Sequence, residues 1–458
     1  MQKIISFLGF SKEGPVSRFF KFEERKTSLK IETVAGLTTF MTMAYVLAVQ
    51  PAAMIGFGEA TSLVDSSGVL ITKEAILIVT ALISGLVTLL MAFYADMPFA
   101  LSTGMGTNFI LGALLQQGEI SFGSIMAIVL VSGIVFLFLS LFGIRDVIVT
   151  MIPKNIKIAI SSAIGFFIAY LGFNNTGIGT FTNGIGLGDF RSPEVLLAIA
   201  GLLIIAILTA YKIKGAILVG IIAITIIGIP FGVTSLPSQF MSIPNLSTVK
   251  NVMFNFEFSY IFTANGFILM FVAFFGDFFS TLGTVLGVGA KAGMLDDDGN
   301  FQGIEKPFVV DAIGTCAGAF TGCTTITTFV ESSAGVEVGG KTGFTSAVVA
   351  GLFIISAFFA PLFVIIPNAA TGPALIFVGF LMIQGFKDID FSNFTEAFGP
   401  FVMIMFTIFT GSIATGLSAG ILSDIVIKVF TGKAKEVHIG MYILAIPLIL
   451  YFLTSGLV

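Results

Sequence analysis

Residues 322–335 read GCTTITTFVESSAG and lie between two strongly apolar stretches of the chain. They place four threonines, two serines and the carboxylate of Glu331 inside what would be a membrane-spanning segment. TTITTF favours extended backbone, because β-branched and aromatic side chains suit a pleated surface. ESSAG suits a helix N-terminus. The stretch therefore reads as a short extended piece leading into a half-helix. Non-helical backbone survives at membrane depth only where protein buries it or it lines a cavity. The fold must then be one that encloses broken spans.

The surrounding chain supports a membrane setting. Of its 458 residues 56% are hydrophobic and only 10% charged, against about 25% charged in soluble domains. Apolar runs of about 17–22 residues recur, the length that crosses a hydrocarbon core. The reading is an all-α polytopic membrane protein of 14 spans, with room for one extra C-terminal helix. The predicted spans are 31–50, 75–95, 98–115, 122–142, 155–173, 195–211, 215–233, 262–290, 307–321, 322–337, 344–366, 371–386, 396–412 and 415–430. Residues 1–30 read as a mixed, basic segment on the cytoplasmic side, not a cleaved signal. An external connection covers 234–261, and 431–458 is a C-terminal segment whose apolar run 438–456 is either a further crossing or an interfacial helix.

Lys and Arg set the orientation. With the N-terminus inside, 19 of the 22 basic residues fall in cytoplasmic pieces and only Lys73, Arg191 and Lys250 outside, as the positive-inside rule requires. This also splits 396–430 into two spans, since a single one would place Lys428, Lys433 and Lys435 outside. Cys316 and Cys323 sit in apolar surroundings and read as small hydrophobes rather than metal ligands or a disulfide. The single histidine, His438, lies in a short basic connection. With no nucleophile–base or metal constellation in the spans, the chain does not read as an enzyme, and no metal or cofactor is expected.

Self-similarity divides the chain. Phe40 onward (FMTMAYVLAV) matches Phe279 onward (FSTLGTVLGV) at an offset of 239. Ile152-Pro153 and Gly165-Phe166 match Ile366-Pro367 and Gly379-Phe380 at an offset of 214. The two matches pair span one with eight and span five with twelve. Seven spans per half is odd, so residues 31–233 and 262–430 form a 7+7 inverted repeat, the plan of secondary transporters with substrate at broken helices. Span three, with Pro98, Gly104 and Gly106, is the counterpart of span ten.

Carboxylates inside spans are functional candidates. Asp277, flanked by phenylalanines, and Glu331 are the two favoured for substrate or proton roles. Asp311 and Asp424, nearer the cytoplasmic ends, read as structural, and Asp96 as a capping residue at a turn. No Lys or Arg enters the candidate cavity segments, which argues against an inorganic anion as substrate.

The ordered motifs TSLKIETVAGLTTFMTMAYVLAVQP, PFALSTGMGTNF, GDFFSTLGTVLGVGAKAGMLDDDG, TTFVESSAGVEVGGKTGFTS and FTGKAKEVHIGMYILAIPLILYF run nearly the whole length of the chain. They resemble the AzgA-like purine permeases of the nucleobase cation symporter-2 family. That resemblance implies core and gate domains, short strands in spans three and ten at the substrate site, and import driven by protons. The substrate implied is a purine nucleobase, guanine and hypoxanthine or adenine. Carried over by motif, Asn108 is a substrate contact, Asp277 the first acid of the span-eight motif, and Glu331 the residue that holds the base. Gly104, Gly106, Thr328 and Ser332 join them, with Phe278 available to stack. Asp277 and Glu331 are the proton-coupling candidates. The family's second acid is Ser280 here, a departure that touches specificity and stoichiometry. Expected partners are the base, a proton and the bilayer of the cell membrane, with no nucleic acid; a homodimer is compatible. Alternatives are a permease for another flat solute (uracil, xanthine, urate), an anion carrier of the same fold, or a receptor that does not transport.

Overall fold

The computed structural model describes residues 14–56, 60–142, 153–180, 186–237, 239–294, 303–410 and 413–454. Ile152 and the acidic run 296–298 of the motif GDFFSTLGTVLGVGAKAGMLDDDG lie outside these, as do the basic residues Lys3, Lys12 and Arg145 counted on the cytoplasmic side.

Helices form where the apolar runs predict them. In the first part of the chain these are α1 (Leu29–Met43), α2 (Val46–Ile55), α3 (Lys73–Leu90), α4 (Met105–Gln116), α5 (Phe122–Leu141), α6 (Lys154–Asn175), α7 (Pro193–Ala210) and α8 (Ala216–Gly228). The second part holds α9 (Ala264–Lys291), α10 (Glu305–Thr321), α11 (Ser332–Glu337), α12 (Gly343–Ser356), α13 (Asn368–Ile383), α14 (Phe394–Thr410), α15 (Ile413–Phe430) and α16 (Ile439–Thr454). Among the described residues, eight helical segments are long and apolar enough to cross a membrane, α1 and α2 counting together as Leu29–Ile55. Hydroxyl caps start several of them. Ser28, Thr72, Ser121 and Thr342 accept from the backbone of Ile31, Ala75, Ser124 and Phe344, satisfying donors that a helix start leaves unpaired.

Two short strands interrupt this pattern. β1 (Leu101–Thr103) precedes α4, and β2 (Ile326–Thr328) precedes α11. They pair antiparallel, Leu101 with Thr328, Ser102 with Thr327 and Thr103 with Ile326. Two more bonds, Gly104 N to Thr325 O and Phe329 N to Ala100 O, extend the ladder by one step at each end. The outer edges of so small a ribbon would be orphaned in an apolar interior. On one side Thr88 of α3 donates to Leu101 O (3.1 Å) and accepts from Leu101 N (3.0 Å). On the other Thr315 of α10 donates to Ile326 O (3.0 Å) and accepts from Ile326 N (3.2 Å). Each strand therefore leans on one threonine of a neighbouring helix.

The helices pack as two groups. In one, α12 packs on α1 and α3, while α5 packs on α9 and α10. In the other, α6 packs on α13 and α14, α7 on α8 and α13, and α14 on α15. The α6–α13 contact is close: a Cβ added at Gly165 would lie 2.8 Å from Gly379 O, and one at Gly379 2.5 Å from Gly165 O. Only glycine allows so close an approach of backbones.

Polar contacts between connections respect two ends. At one end Arg25 pairs with Asp96 (2.8 Å) and donates to Lys341 O, while Asp96 accepts from Gly343 N at the start of α12. Burial pushes the Asp96 carboxyl up from its usual range, against that N–H and the guanidinium. Lys428, buried on α15, meets Asp424 of the same helix (3.2 Å) and Glu396 of α14 (3.3 Å). At the other end Asp65 accepts from Phe122 N and Glu257 accepts from Ser121 and Ser124.

Candidate functional site

A cavity of about 140 Å³ opens where the β1–α4 and β2–α11 breaks face α6 and α13. Its polar wall comes from Tyr45, Asp277, Ser280, Thr284, Thr327, Thr328 and Glu331, with Gly104 and Gly106 at the start of α4. Its apolar wall is Ile164 of α6 with Val378 and Met382 of α13. The lack of a side chain at Gly106 brings the two walls together: a Cβ there would lie 2.8 Å from Ile164 Cγ2.

Glu331 is the last residue before α11. Its Oε1 accepts from the Tyr45 hydroxyl (3.0 Å), and its carbonyl from Thr42 (3.4 Å). Tyr45 stands at the break between α1 and α2, where Leu47 and Ala48 make tighter turns back to Ala44 and Tyr45. The break aims the phenol, which is otherwise buried, at the carboxylate. Nothing in the sequence marks Tyr45 as a site residue, because only the tertiary contact gives it a partner.

Asp277 lies on α9 with Ser280, Thr281 and Thr284 on the following turns. Its Oδ2 accepts from Thr315 (2.7 Å). Asp311, four residues before Thr315 on α10, accepts from Thr281 (2.6 Å) and from both the N–H (2.7 Å) and hydroxyl (2.8 Å) of Thr328. Two i,i+4 pairs, Asp277/Thr281 and Asp311/Thr315, thus face one another across the helix contact. Asp311, read from the sequence as a structural residue nearer the cytoplasmic end of its span, is fully buried and holds strand β2. The signal available in the sequence was the spacing of those two pairs.

Three expected contacts do not reach the cavity. Asn108 is buried behind the strands, donating to Gln50 (2.9 Å) and accepting from Thr325 (3.3 Å). Ser332 accepts from Ala100 N (3.0 Å) and so ties β1 to α11. Phe278 faces away and packs edge-on against Phe136 (5.6 Å) and Phe308 (5.6 Å). Asp277, Glu331, Gly104, Gly106, Thr328 and Ser280 all line the cavity. Among the described residues no group of His, Cys, Asp and Glu could hold a metal. The cavity presents two acids and several hydroxyls opposite an apolar wall, and its lining includes no Lys, Arg or His.

This chain is similar to known proteins over nearly all its length. A family model described as "Permease family" matches residues 30–420. A putative permease of Methanocaldococcus jannaschii is 38% identical over 440 residues, covering 95% of this chain and 98% of that one. An adenine permease of Escherichia coli is 32% identical, covering 95% of each chain. A guanine/hypoxanthine permease of Bacillus subtilis is 34% identical, covering 95% and 99%. Among solved structures, the transmembrane domain of a cyanobacterial bicarbonate transporter superimposes with a TM-score of 0.61 at 17% identity, covering 86% of this chain and 97% of that one. The last likeness shows a transporter fold.

Proposed function

The chain belongs to the permease family, and from that premise we propose that it imports a purine nucleobase, guanine and hypoxanthine or adenine, by proton symport through alternating access. The observation that carries this is the placing of Asp277 and Glu331 on one cavity, at the junction of two broken spans. A purine edge offers N–H donors beside acceptor nitrogens and carbonyls. Glu331, oriented by Tyr45, accepts from the N–H groups. The hydroxyls of Ser280, Thr284 and Thr327 donate to the acceptors, and Ile164, Val378 and Met382 cover the flat face. An anion carrier shares the fold, but an anion would meet two acids here and no cation among the lining residues.

The proposal includes 14 spans in a 7+7 inverted repeat, with the N-terminus in the cytoplasm and the chain in the cell membrane. The first packing group of helices is then the core and the second the gate. Two features support the repeat. Thr88 and Thr315 make the same reciprocal pair of bonds to β1 and β2. Gly165 and Gly379, equivalent at the offset of 214, touch each other, as equivalent positions do only at a two-fold axis.

Uptake of labelled guanine, hypoxanthine and adenine into proteoliposomes, with unlabelled competitors and a protonophore, tests the assignment. Saturable purine uptake that collapses with the proton gradient is expected. Glu331→Gln removes a charged acceptor and should weaken base affinity by about tenfold to a hundredfold. Unchanged kinetics in that variant would remove Glu331 from the site, and uptake that ignores the protonophore would remove the coupling.

A further inference from the structure

Residues 239–262, which lead from α8 to α9, read QFMSIPNLSTVKNVMFNFEFSYIF. The run is too polar for a span and too apolar for a loop in water. Its only charges are Lys250 and Glu257, and aromatic or aliphatic side chains recur along it. Six of these, Phe240, Met241, Ile243, Leu246, Phe254 and Phe262, stand exposed. Ile243 keeps 86% and Phe262 89% of its surface, so the chain itself covers neither.

The segment is nevertheless fixed in place. Ser242 N donates to Phe358 O (2.9 Å) just beyond α12, Phe254 N to Phe320 O (2.8 Å) on α10, and Glu257 N to Gly123 O (3.0 Å) on α5. Val249 and Val252 are buried, and the Phe256 ring packs edge-on against Phe320 (5.4 Å). Some apolar side chains are therefore taken inward while their neighbours are turned out. Phe254 shows that sorting at a cost. Its backbone is left-handed, with φ +53°, a conformation that a bulky residue seldom adopts. Its ring is still two-thirds exposed. Strain spent on a ring that the chain leaves uncovered points to a partner outside the chain.

Three covers come into question: water, a second copy of the chain, and the bilayer. Water gives apolar side chains no return. A second copy covers one patch, whereas the backbone anchors lie on α5, on α10 and beyond α12, so the exposed side chains follow an arc over this end of the bundle. The bilayer meets the whole arc. The arc also continues the exposed apolar surface of the spans, through Ile226 and Phe231 at the close of α8 and Phe267 in the first turn of α9. Between its apolar side chains, Gln239, Asn245, Lys250 and Asn251 are exposed too. Both kinds are satisfied only at the level of the headgroups, where apolar side chains dip into lipid and polar ones stay wet.

We propose that residues 239–262 lie in the boundary between lipid headgroups and acyl chains, and that they anchor the first packing group of helices to one face of the bilayer. The link between the two halves is then a membrane-binding surface and not a connection in water. The proposal needs the membrane setting alone, neither the substrate nor the direction of transport.

The chain contains no tryptophan, so a single introduced one reports without background. Phe240→Trp, Ile243→Trp and Phe262→Trp, each in the full chain in phosphatidylcholine vesicles, sample three points of the arc. Phe256→Trp is the inward control. Lipids brominated near the carbonyl end of the acyl chain should quench the three outward reporters more than lipids brominated near the methyl end, as a depth of about 5–10 Å requires. Aqueous iodide should leave their emission unchanged, and the control should answer neither quencher. Iodide quenching without bromolipid quenching would overturn the proposal in favour of water. Strongest quenching by the deep bromine would place the segment inside the hydrocarbon and overturn it too. Protection from both quenchers that is lost on dilution into excess lipid would assign the surface to a second copy instead. All three positions are exposed, so a variant that fails to fold leaves the other two to decide.

Discussion

The two broken spans are wired alike and loaded differently. β1 leans on Thr88 of α3, and β2 leans on Thr315 of α10, through the same two hydrogen bonds. One turn before each threonine the two halves part. Ser84 on α3 meets the hydroxyl of Ser102 (2.8 Å), whereas Asp311 on α10 accepts from the N–H and hydroxyl of Thr328 and from the hydroxyl of Thr281. The same scaffold therefore carries a neutral hydroxyl in one half and a buried carboxyl in the other. Architecture and chemistry are separable here: threonines hold the strands in both halves, and the acids that line the cavity, Asp277 and Glu331, lie in the second.

The largest effects should come from breaking what the halves share. Thr88→Val and Thr315→Val each strip two bonds from a strand edge and leave a buried amide and carbonyl unpaired. Each should lower stability by about 2–3 kcal/mol, read from thermal unfolding in detergent. If the supports are equivalent the two losses will agree; a Thr88 variant with no effect would break the comparison.

A second shared device comes next. Glu32 accepts from the hydroxyls of Thr342 and Thr345 at the start of α12, as Glu257 does from Ser121 and Ser124 at the start of α5. Glu32 is fully buried and Glu257 is exposed. Glu32→Gln should cost about 1.5–3 kcal/mol by the same unfolding assay, since hydrogen bonds to a charged group are being weakened.

Tyr45→Phe should weaken base binding by about 0.5–1.5 kcal/mol in a competition assay, because Glu331 loses its one side-chain donor. Expression should not change. A Tyr45→Phe carrier with unaltered affinity would mean that Glu331 needs no orientation from the first half.

The smallest effect belongs to Glu257. Hydrogen bonds from Ser121 first, then Ser259, hold its carboxyl below the usual range. Its contribution is therefore present above the unfolded value and lost as pH falls through the depressed folded value. Glu257→Gln should remove at most about 0.5 kcal/mol, given its exposure. The difference from wild type should shrink in acid.

Much of this was legible in the sequence for a physical reason. Apolar runs must match the bilayer, so their lengths mark the helices. The residues TTITTF and the glycines of span three cannot sustain a regular helix, and β2 and β1–α4 form there. Glu331 and Asp277 stood out because a carboxylate in an apolar run needs a cause. What was not legible depends on contact across the chain. Tyr45 and Asp311 acquire their contacts only from partners distant in the chain, 286 and up to 30 residues away. Asn108, Ser332 and Phe278 carry the right chemistry on elements that turn it away from the cavity. A motif gives residue type and order, while the direction of a side chain is set by helix packing.

Most helix contacts interlock, ridge against groove, and resist a change of angle. Gly165 and Gly379 bring the backbones of α6 and α13 together, and Met382, Ile383 and Ala169 pack into the notches they leave. So close a seating sets the separation of the two helices at this depth. The residues beside those points, Ile164 and Val378, form the apolar wall of the cavity. A change in that separation would therefore change the width of the slot into which a flat ring must fit.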